Sequence, residues 1–148
     1  MDKVVIHTTE APKAIGTYSQ GIKFDNFVFT SGQIPINPQS GKLIEGDFKS
    51  EVKQVLINLN GVLKGGGSSL QQTIKLTVFL TDLSHFSQVN EIFNEFFPDN
   101  PPARSAVQVS ALPMYARIEI DAVGHVECNI GLLLYVPLVY VLVRKQDI

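Results

Sequence analysis

Hydrophobic and polar residues alternate along several short segments of the chain, which is typical of half-buried β-strands. Apolar or alternating runs occupy residues 3–6, 22–30, 73–82, 104–109 and 117–122. The run 22–30 is interrupted by the turn-forming pair Asp25-Asn26, so it predicts a small hairpin of two strands. The pattern therefore predicts six short strands.

Two other segments place apolar residues three and four positions apart, which predicts helices. The first covers residues 47–64 and ends at three consecutive glycines, and the second begins after Ser84, a predicted N-cap, and stops before Pro98. The apolar stripe of the second helix comprises Phe86, Val89, Ile92, Phe93, Phe96 and Phe97. Asn90 interrupts this stripe, and a buried amide must find partners. We expect Asn90 to hydrogen-bond the helix to the sheet, or alternatively to line a pocket.

The order of three strands, helix, strand, helix and two strands contains no repeat and no long linker, so residues 1–127 are predicted to form one α+β domain. Both helices are expected on one face of a mixed six-stranded sheet. In the run 73–82, Ile74, Leu76, Val78 and Leu80 are predicted to face the helices. The uncovered face would carry Phe79, Ala106 and Val123, which is too apolar for water, so a second copy is expected to cover it.

The most informative charged residues lie between residues 101 and 123. Val107 and Val109 are predicted to face the core, which places Arg104 and Ala106 on the opposite side of the strand. The next run places Glu119 on that side by the same parity argument, so Arg104 and Glu119 are both expected to face away from the helices. The break between the runs favours a hairpin, but a connection that skips one strand remains open. Solvated surface charges are the alternative interpretation of both residues.

Two loop segments flank the predicted hairpin. Tyr18 precedes it, and Ser31-Gly32 follows it directly. Taken alone, Tyr18 is typical of a partly buried loop aromatic and Gly32 of a turn with positive φ.

Composition narrows the range of functions. Hydrophobic residues make up 45% of the chain, charged residues 18%, and the net charge is −2, so the chain lacks the basic excess expected of a nucleic-acid-binding protein. The single cysteine, Cys128, excludes an internal disulfide, and His7, His85 and His125 are too scattered to predict a metal site. The first residues do not resemble a targeting segment, which predicts a cytoplasmic protein.

The C-terminal segment is unusual because residues 130–143 carry no charge. These 14 residues are fewer than the roughly 18 to 20 that a membrane-spanning helix needs, and Pro137 interrupts them. A buried or edge strand that packs on the body or on a neighbouring subunit is predicted. A membrane tail anchor is the alternative, given Arg144 and Lys145.

Several motifs together resemble the reactive-intermediate deaminase family, called RidA or YjgF. They are AIGTYSQGIKF, FTSGQIPINPQSGKLI, VNEIF, PARSAVQV and RIEIDAV. The resemblance covers about residues 3–125, and it does not extend to the segment 128–148. It implies a chorismate-mutase-like fold that forms trimers with clefts between subunits, and a last strand that lies inside the sheet. It also implies hydrolysis of 2-iminobutanoate and 2-iminopropanoate to 2-keto acids and ammonia, without a cofactor.

The resemblance also assigns roles to residues. It implies that Arg104 grips the substrate carboxylate, that Glu119 activates water as a general base, and that Tyr18 forms a wall of the site. Hydrogen bonds would come from the backbone around Ser31, Gly32 and Ala106, and Asn90 matches a further site position. The chain departs from the family pattern at Thr17, where proline is usual, and at Ala106, where many members carry cysteine. Alternative functions are an endoribonuclease or translation inhibitor, or a non-catalytic sensor of small carboxylates.

Overall fold

The structure, a computed structural model, describes residues 2–127. It contains β1 (Val4–Ile6), β2 (Gly21–Phe24), β3 (Phe27–Thr30), α1 (Phe48–Gly65), β4 (Thr73–Leu80), α2 (Phe86–Phe96), β5 (Ala103–Gln108) and β6 (Ile118–His125). The strands form one sheet in the order β1-β2-β3-β6-β4-β5, in which only β4 and β5 run parallel. The predicted mixed six-stranded sheet with two helices is therefore confirmed.

The two helices begin in different ways. The Asp47 carboxylate accepts a hydrogen bond from the Ser50 N–H at 2.8 Å and caps α1. The prediction that Ser84 caps α2 is wrong, because a 3-10 turn, Leu83–His85, precedes the helix. Asp82 caps that turn by accepting from the Ser84 N–H at 2.8 Å. In place of the Ser84 side chain, the Asp82 carboxylate therefore caps the turn that leads into α2.

Strand β6 lies in the interior of the sheet. It pairs antiparallel with β3 on one side and with β4 on the other, so β4 separates β5 from β6. The hairpin interpretation of residues 101–123 is therefore wrong, and the connection that skips one strand is correct. Helix α2 supplies the crossover that a parallel pair such as β4 and β5 requires.

The core lies between the two helices and one face of the sheet. The buried sheet residues are Val28, Leu76, Val78, Leu80, Ile118, Ile120 and Ala122. The prediction for Ile74 is wrong, since 43% of this residue is exposed. The register of β4 against β6 shifts between Thr73 and Lys75, and this irregularity turns Ile74 away from the core.

The predicted face of Arg104 and Ala106 is also wrong. In the parallel register Arg104 pairs with Leu76 and Ala106 pairs with Val78, so both lie on the helix-covered face. Val107 lies on the open face and is 43% exposed. The parity argument fails because it uses valine as a marker of the core, whereas both faces of this sheet carry apolar residues.

The open face carries Phe79 and Val123 as predicted, and Glu119 lies on this face, as also predicted. Phe29 pairs with Val123, and Phe79 pairs with both Glu119 and Val107. Phe29 is 44% exposed in the single chain, which is unusual for a phenylalanine in the middle of a sheet. Coverage of this face by a second copy stays a prediction.

Both predictions for the apolar segment 130–143 lie outside the described residues. Within residues 2–127, none of the helices has the length and apolar character required to cross a membrane.

Candidate functional site

Four of the predicted site residues line one cavity of about 520 Å³ at the end of the sheet where β3 continues into a loop. They are Tyr18, Ser31, Gly32 and Glu119. The remaining wall is largely apolar and includes Ile15, Ile34, Ile36, Pro113 and Met114. A mostly apolar cavity with a few convergent polar groups is the usual form of a small-molecule site.

Glu119 supplies the carboxylate of this cavity. Neighbouring strands flank β6 on both sides, which fixes the backbone of Glu119 opposite Phe79. Burial, and secondarily the charge of Asp121, raise the pKa of the Glu119 carboxyl above its ordinary value. No residue within 2–127 forms an ion pair with Glu119 or donates a hydrogen bond to its carboxylate. The carboxylate is therefore free to accept a proton from a bound water or substrate.

Gly32 makes room for that carboxylate. A Cβ placed on Gly32 would overlap the Glu119 carboxyl group, so any larger residue here would displace this carboxylate from its position. The alternative reading of Gly32 as a turn with positive φ is wrong, since Gly32 is absent from the positive-φ residues of the described chain. The Gly32 N–H donates to no described residue and lies on the cavity wall, where it is free to bind a ligand.

Ser31 and Gln20 hold the loop that carries Tyr18. The Ser31 hydroxyl donates to the Ser19 carbonyl at 2.6 Å, and the Ser31 N–H donates to the Gln20 carbonyl at 2.9 Å. The buried Gln20 amide donates to backbone carbonyls, including that of Pro12 at 2.8 Å. These bonds order the loop even though Thr17 does not restrict its own φ as proline would. Ser31 thus acts on the loop rather than offering free donors to a ligand.

The other three predicted residues, Asn90, Arg104 and Ala106, lie elsewhere. Arg104 and Ala106 border a depression of about 390 Å³ together with Leu83 and Phe86. The Arg104 guanidinium lies over the rings of Phe86 and Phe93, at 5.0 and 4.9 Å from their centroids. Burial lowers the pKa of Arg104 from its ordinary value, yet arginine remains a cation at any physiological pH.

Asn90 contacts Arg104 directly. Arg104 Nη2 donates to Asn90 Oδ1 at 2.8 Å, which ties α2 to β5. The prediction that this amide bonds the helix to the sheet is confirmed. No carboxylate within residues 2–127 pairs with Arg104, since the ion pairs there involve other cations.

Ala106 contributes its backbone. The Val109 N–H donates to Leu80 on β4, and successive residues of a strand direct their amides to alternate sides. The N–H and C=O of Ala106 therefore point away from β4, along the free outer edge of β5. An N–H donor and a guanidinium on the same strand suit an anion such as a carboxylate.

A single chain keeps these two groups apart. Arg104 lies on the helix face of β5, Glu119 lies on the open face of β6, and β4 runs between them. Two strand spacings amount to roughly 10 Å, and the side chains point to opposite faces, so one small acid cannot contact both in the same chain. The chain therefore carries two separate candidate half-sites: a carboxylate half-site around Glu119 and an arginine half-site around Arg104.

Sequence reasoning missed several residues of these half-sites. Gln20 lies within one of the motifs that carry the resemblance, but nothing in the sequence showed that its amide is buried. Phe86 and Phe93 were recognised only as parts of an apolar stripe, because their stacking on Arg104 depends on the face that β5 presents. Met114, a positive-φ residue of the loop between β5 and β6, had no sequence signal at all.

In the described part of the chain, no three His, Cys, Asp or Glu side chains lie close enough together to hold a metal ion.

The model of the endoribonuclease L-PSP family matches residues 8–126, most of the chain. The protein belongs to this family. Similar curated proteins include a RutC family protein of Pyrococcus abyssi, 46% identical over 86% of this chain and all of the relative. Another is the human 2-iminobutanoate/2-iminopropanoate deaminase, 47% identical over 81% of this chain and 88% of the relative.

A solved structure of another similar protein, E. coli TdcF with bound serine, has a TM-score of 0.80 and 39% sequence identity. It aligns with 84% of this chain and 99% of its own. The resemblance seen in the sequence is thereby confirmed, and the chain has the fold of the YjgF and RidA members of the endoribonuclease L-PSP family.

Proposed function

We propose that the protein hydrolyses small 2-imino acids, such as 2-iminobutanoate and 2-iminopropanoate, to 2-keto acids and ammonia. The observation that supports this most is Arg104, an arginine held by an amide rather than by a carboxylate, beside the outward-facing N–H of Ala106. This pair suits a substrate carboxylate. The names of the mammalian relatives give the same substrates for those proteins.

The reaction requires little from the protein, since a protonated imine is already electrophilic. A water held by Glu119 attacks the imine carbon as the Glu119 carboxylate takes one proton, and the C=N double bond becomes a C–N single bond. The proton then passes to the nitrogen, and the C–N bond breaks as Glu119 takes the remaining hydroxyl proton and the keto C=O forms. The ammonia that leaves accepts this proton as ammonium, which restores the Glu119 carboxylate. General-base assistance of this kind contributes roughly 10²- to 10⁴-fold to the rate.

A complete site requires two chains under this proposal. The arginine half-site of one chain would meet the carboxylate half-site of its neighbour, and the Gly32 N–H would face the same substrate. Such a contact joins different surfaces of the two copies, and it can close into a ring of subunits. We propose a homotrimer, in which the open face with Phe29, Phe79, Val107 and Val123 is covered.

The test adds the purified protein to a threonine dehydratase reaction and follows the appearance of 2-oxobutanoate. Acceleration by the parent protein is expected. The Glu119→Gln variant keeps the shape but loses the base, so it should still bind 2-oxobutanoate while its acceleration falls by about 10² or more.

Two results would contradict imine hydrolysis and favour a different function. Binding of the keto acid without any acceleration by the parent would favour a carboxylate sensor. Cleavage of RNA that survives Glu119→Gln and Arg104→Lys would favour a nuclease activity, against which the net charge of −2 argues.

A further inference from the structure

Three side chains of helix α2 contact the guanidinium of Arg104. Phe86, Asn90 and Phe93 are spaced by four and three residues, so they lie on one face of the helix. Arg104 rests on that face, in cation–π contact with both rings and with Nη2 bonded to Asn90 Oδ1. The arrangement limits the rotation of a side chain that would otherwise sample many rotamers.

We propose that Asn90 is a positioning residue for Arg104, and that an amide is required there because it holds the guanidinium without neutralising its charge. Asn90 then does not contact the substrate, contrary to the role that the motif resemblance suggested. This inference rests on the carboxylate-binding role of Arg104 in the proposed function.

One observed contact and two physical arguments support the proposal. First, the Asn90 carbonyl uses one donor of the guanidinium, and the planar group has further N–H donors for a bidentate carboxylate. Second, a carboxylate at the same position would form an ion pair with Arg104 and compete with the substrate for the same charge. Third, an apolar residue of equal size would leave Arg104 charged but would release its orientation.

Two variants create the carboxylate and the apolar residue at position 90, and a third variant is the control. Asn90→Asp changes the amide to a carboxylate with nearly the same shape, and Asn90→Leu removes the acceptor while keeping most of the volume. Asn94→Asp is the matched control, because Asn94 is exposed on the outer side of the same helix and receives the same change in charge.

Calorimetric binding of 2-oxobutanoate to the full-length protein is the measurement, with thermal unfolding recorded for each variant. Asn90→Asp should weaken binding by more than about tenfold, because the new carboxylate pairs with Arg104 and the ligand loses its charge-assisted hydrogen bond to the guanidinium. Asn90→Leu should weaken it by roughly threefold to tenfold, the range of the net contribution of one hydrogen bond, since the ligand keeps the guanidinium charge and loses only its fixed orientation. Asn94→Asp should bind as the parent does.

A second readout separates positioning from general structural damage. In the nitrogen NMR spectrum of arginine side chains, the Arg104 signals, assigned with Arg104→Lys, should show restricted rotation in the parent. That restriction should persist in Asn90→Asp and be lost in Asn90→Leu. Affinity would thus fall in both Asn90 variants, while only Asn90→Leu would lose the fixed orientation of the Arg104 guanidinium.

Parent-like binding by Asn90→Asp would overturn the requirement for an amide. Parent-like binding by Asn90→Leu, or an Arg104 signal that is equally mobile with and without Asn90, would overturn the positioning role. Failure of the parent protein to bind the keto acid would remove the inference together with its premise. Binding without imine hydrolysis would contradict the proposed function alone, since this assay does not depend on turnover.

Discussion

Two arginines of this protein have similar surroundings but different partners. Arg104 lies over Phe86 and Phe93, and Arg117 lies over Phe48, 5.4 Å from the ring centroid. Arg104 donates to the Asn90 amide, whereas Arg117 forms a bidentate pair with the Glu51 carboxylate at 2.7 to 3.1 Å.

The partner decides what each charge can do. Hydrogen bonding to Glu51 raises the pKa of Arg117, and the charge of that guanidinium is compensated inside the fold. Arg104 has no such compensation, and burial lowers its pKa instead. An arginine paired with a carboxylate thus joins α1 to the start of β6, while an arginine paired with an amide remains available to an anionic ligand.

The largest expected effect is on ligand binding at Arg104. Arg104→Lys keeps the charge but loses the planar fork, so affinity for 2-oxobutanoate should fall by about 1.5 to 3 kcal/mol, the scale of a charge-assisted hydrogen bond. Calorimetry measures the affinity. Arg117→Lys is the matched control and should leave it unchanged, and an equal loss in both variants would end the distinction between the two arginines.

Arg117→Met should affect the fold instead. It would leave the Glu51 side chain, only 12% exposed, without its cation, which costs on the order of 1 to 3 kcal/mol of unfolding free energy. Urea unfolding gives this value, and Arg104→Met should cost less because no carboxylate loses its partner. A larger loss of stability in Arg104→Met would contradict the assignment of Arg117 as the structural arginine.

Two carboxylates show the same contrast between a paired and an unpaired charge. The difference in stability expected from this contrast is the smallest of the predicted effects. Glu51 is paired, whereas burial raises the pKa of the unpaired Glu119 in the folded state. Between the ordinary carboxyl pKa and this raised value, the folded protein binds more protons than the unfolded chain, so the contribution of Glu119 to stability falls as pH rises.

Glu119→Gln should therefore unfold at a slightly higher temperature than the parent at neutral pH. The difference should shrink as pH falls toward the ordinary carboxyl range, about pH 4. Thermal unfolding of both proteins from about pH 7 to about pH 4 tests this expectation. A variant that is less stable than the parent at neutral pH would show that the carboxylate has a stabilising partner.

Much of the fold followed from local patterns in the sequence. The strands, both helices and the turn at Asp25-Asn26 depend on periodicity and turn residues, which act over short distances. Burial of Ile74 was predicted wrongly because a bulge depends on the neighbouring strand rather than on the run itself. The same holds for the adjacency of β5 and β6, because the preceding strand, β4, lies between them and local patterns do not show which strands pair.

The candidate site residues follow from the motifs, but their arrangement was not predictable. Val107 and Ala106 exchange faces relative to the prediction, because apolar residues cover both sides of the sheet and parity alone cannot distinguish them. The separation of Arg104 from Glu119 follows directly from that exchange. The partnership of Asn90 with Arg104 likewise depends on which face β5 turns toward α2.

We propose that one active site is assembled from the arginine half-site of one chain and the carboxylate half-site of another. Oligomers that mix two inactive variants test this assembly. Arg104→Met and Glu119→Gln should each be inactive alone, and the two proteins are unfolded together in equal amounts, refolded and assayed for imine hydrolysis. If the sites lie between subunits, random assembly should restore about a quarter of the parent activity, because that fraction of interfaces joins two intact half-sites. If each chain carries its own complete site, the mixture should stay as inactive as its components.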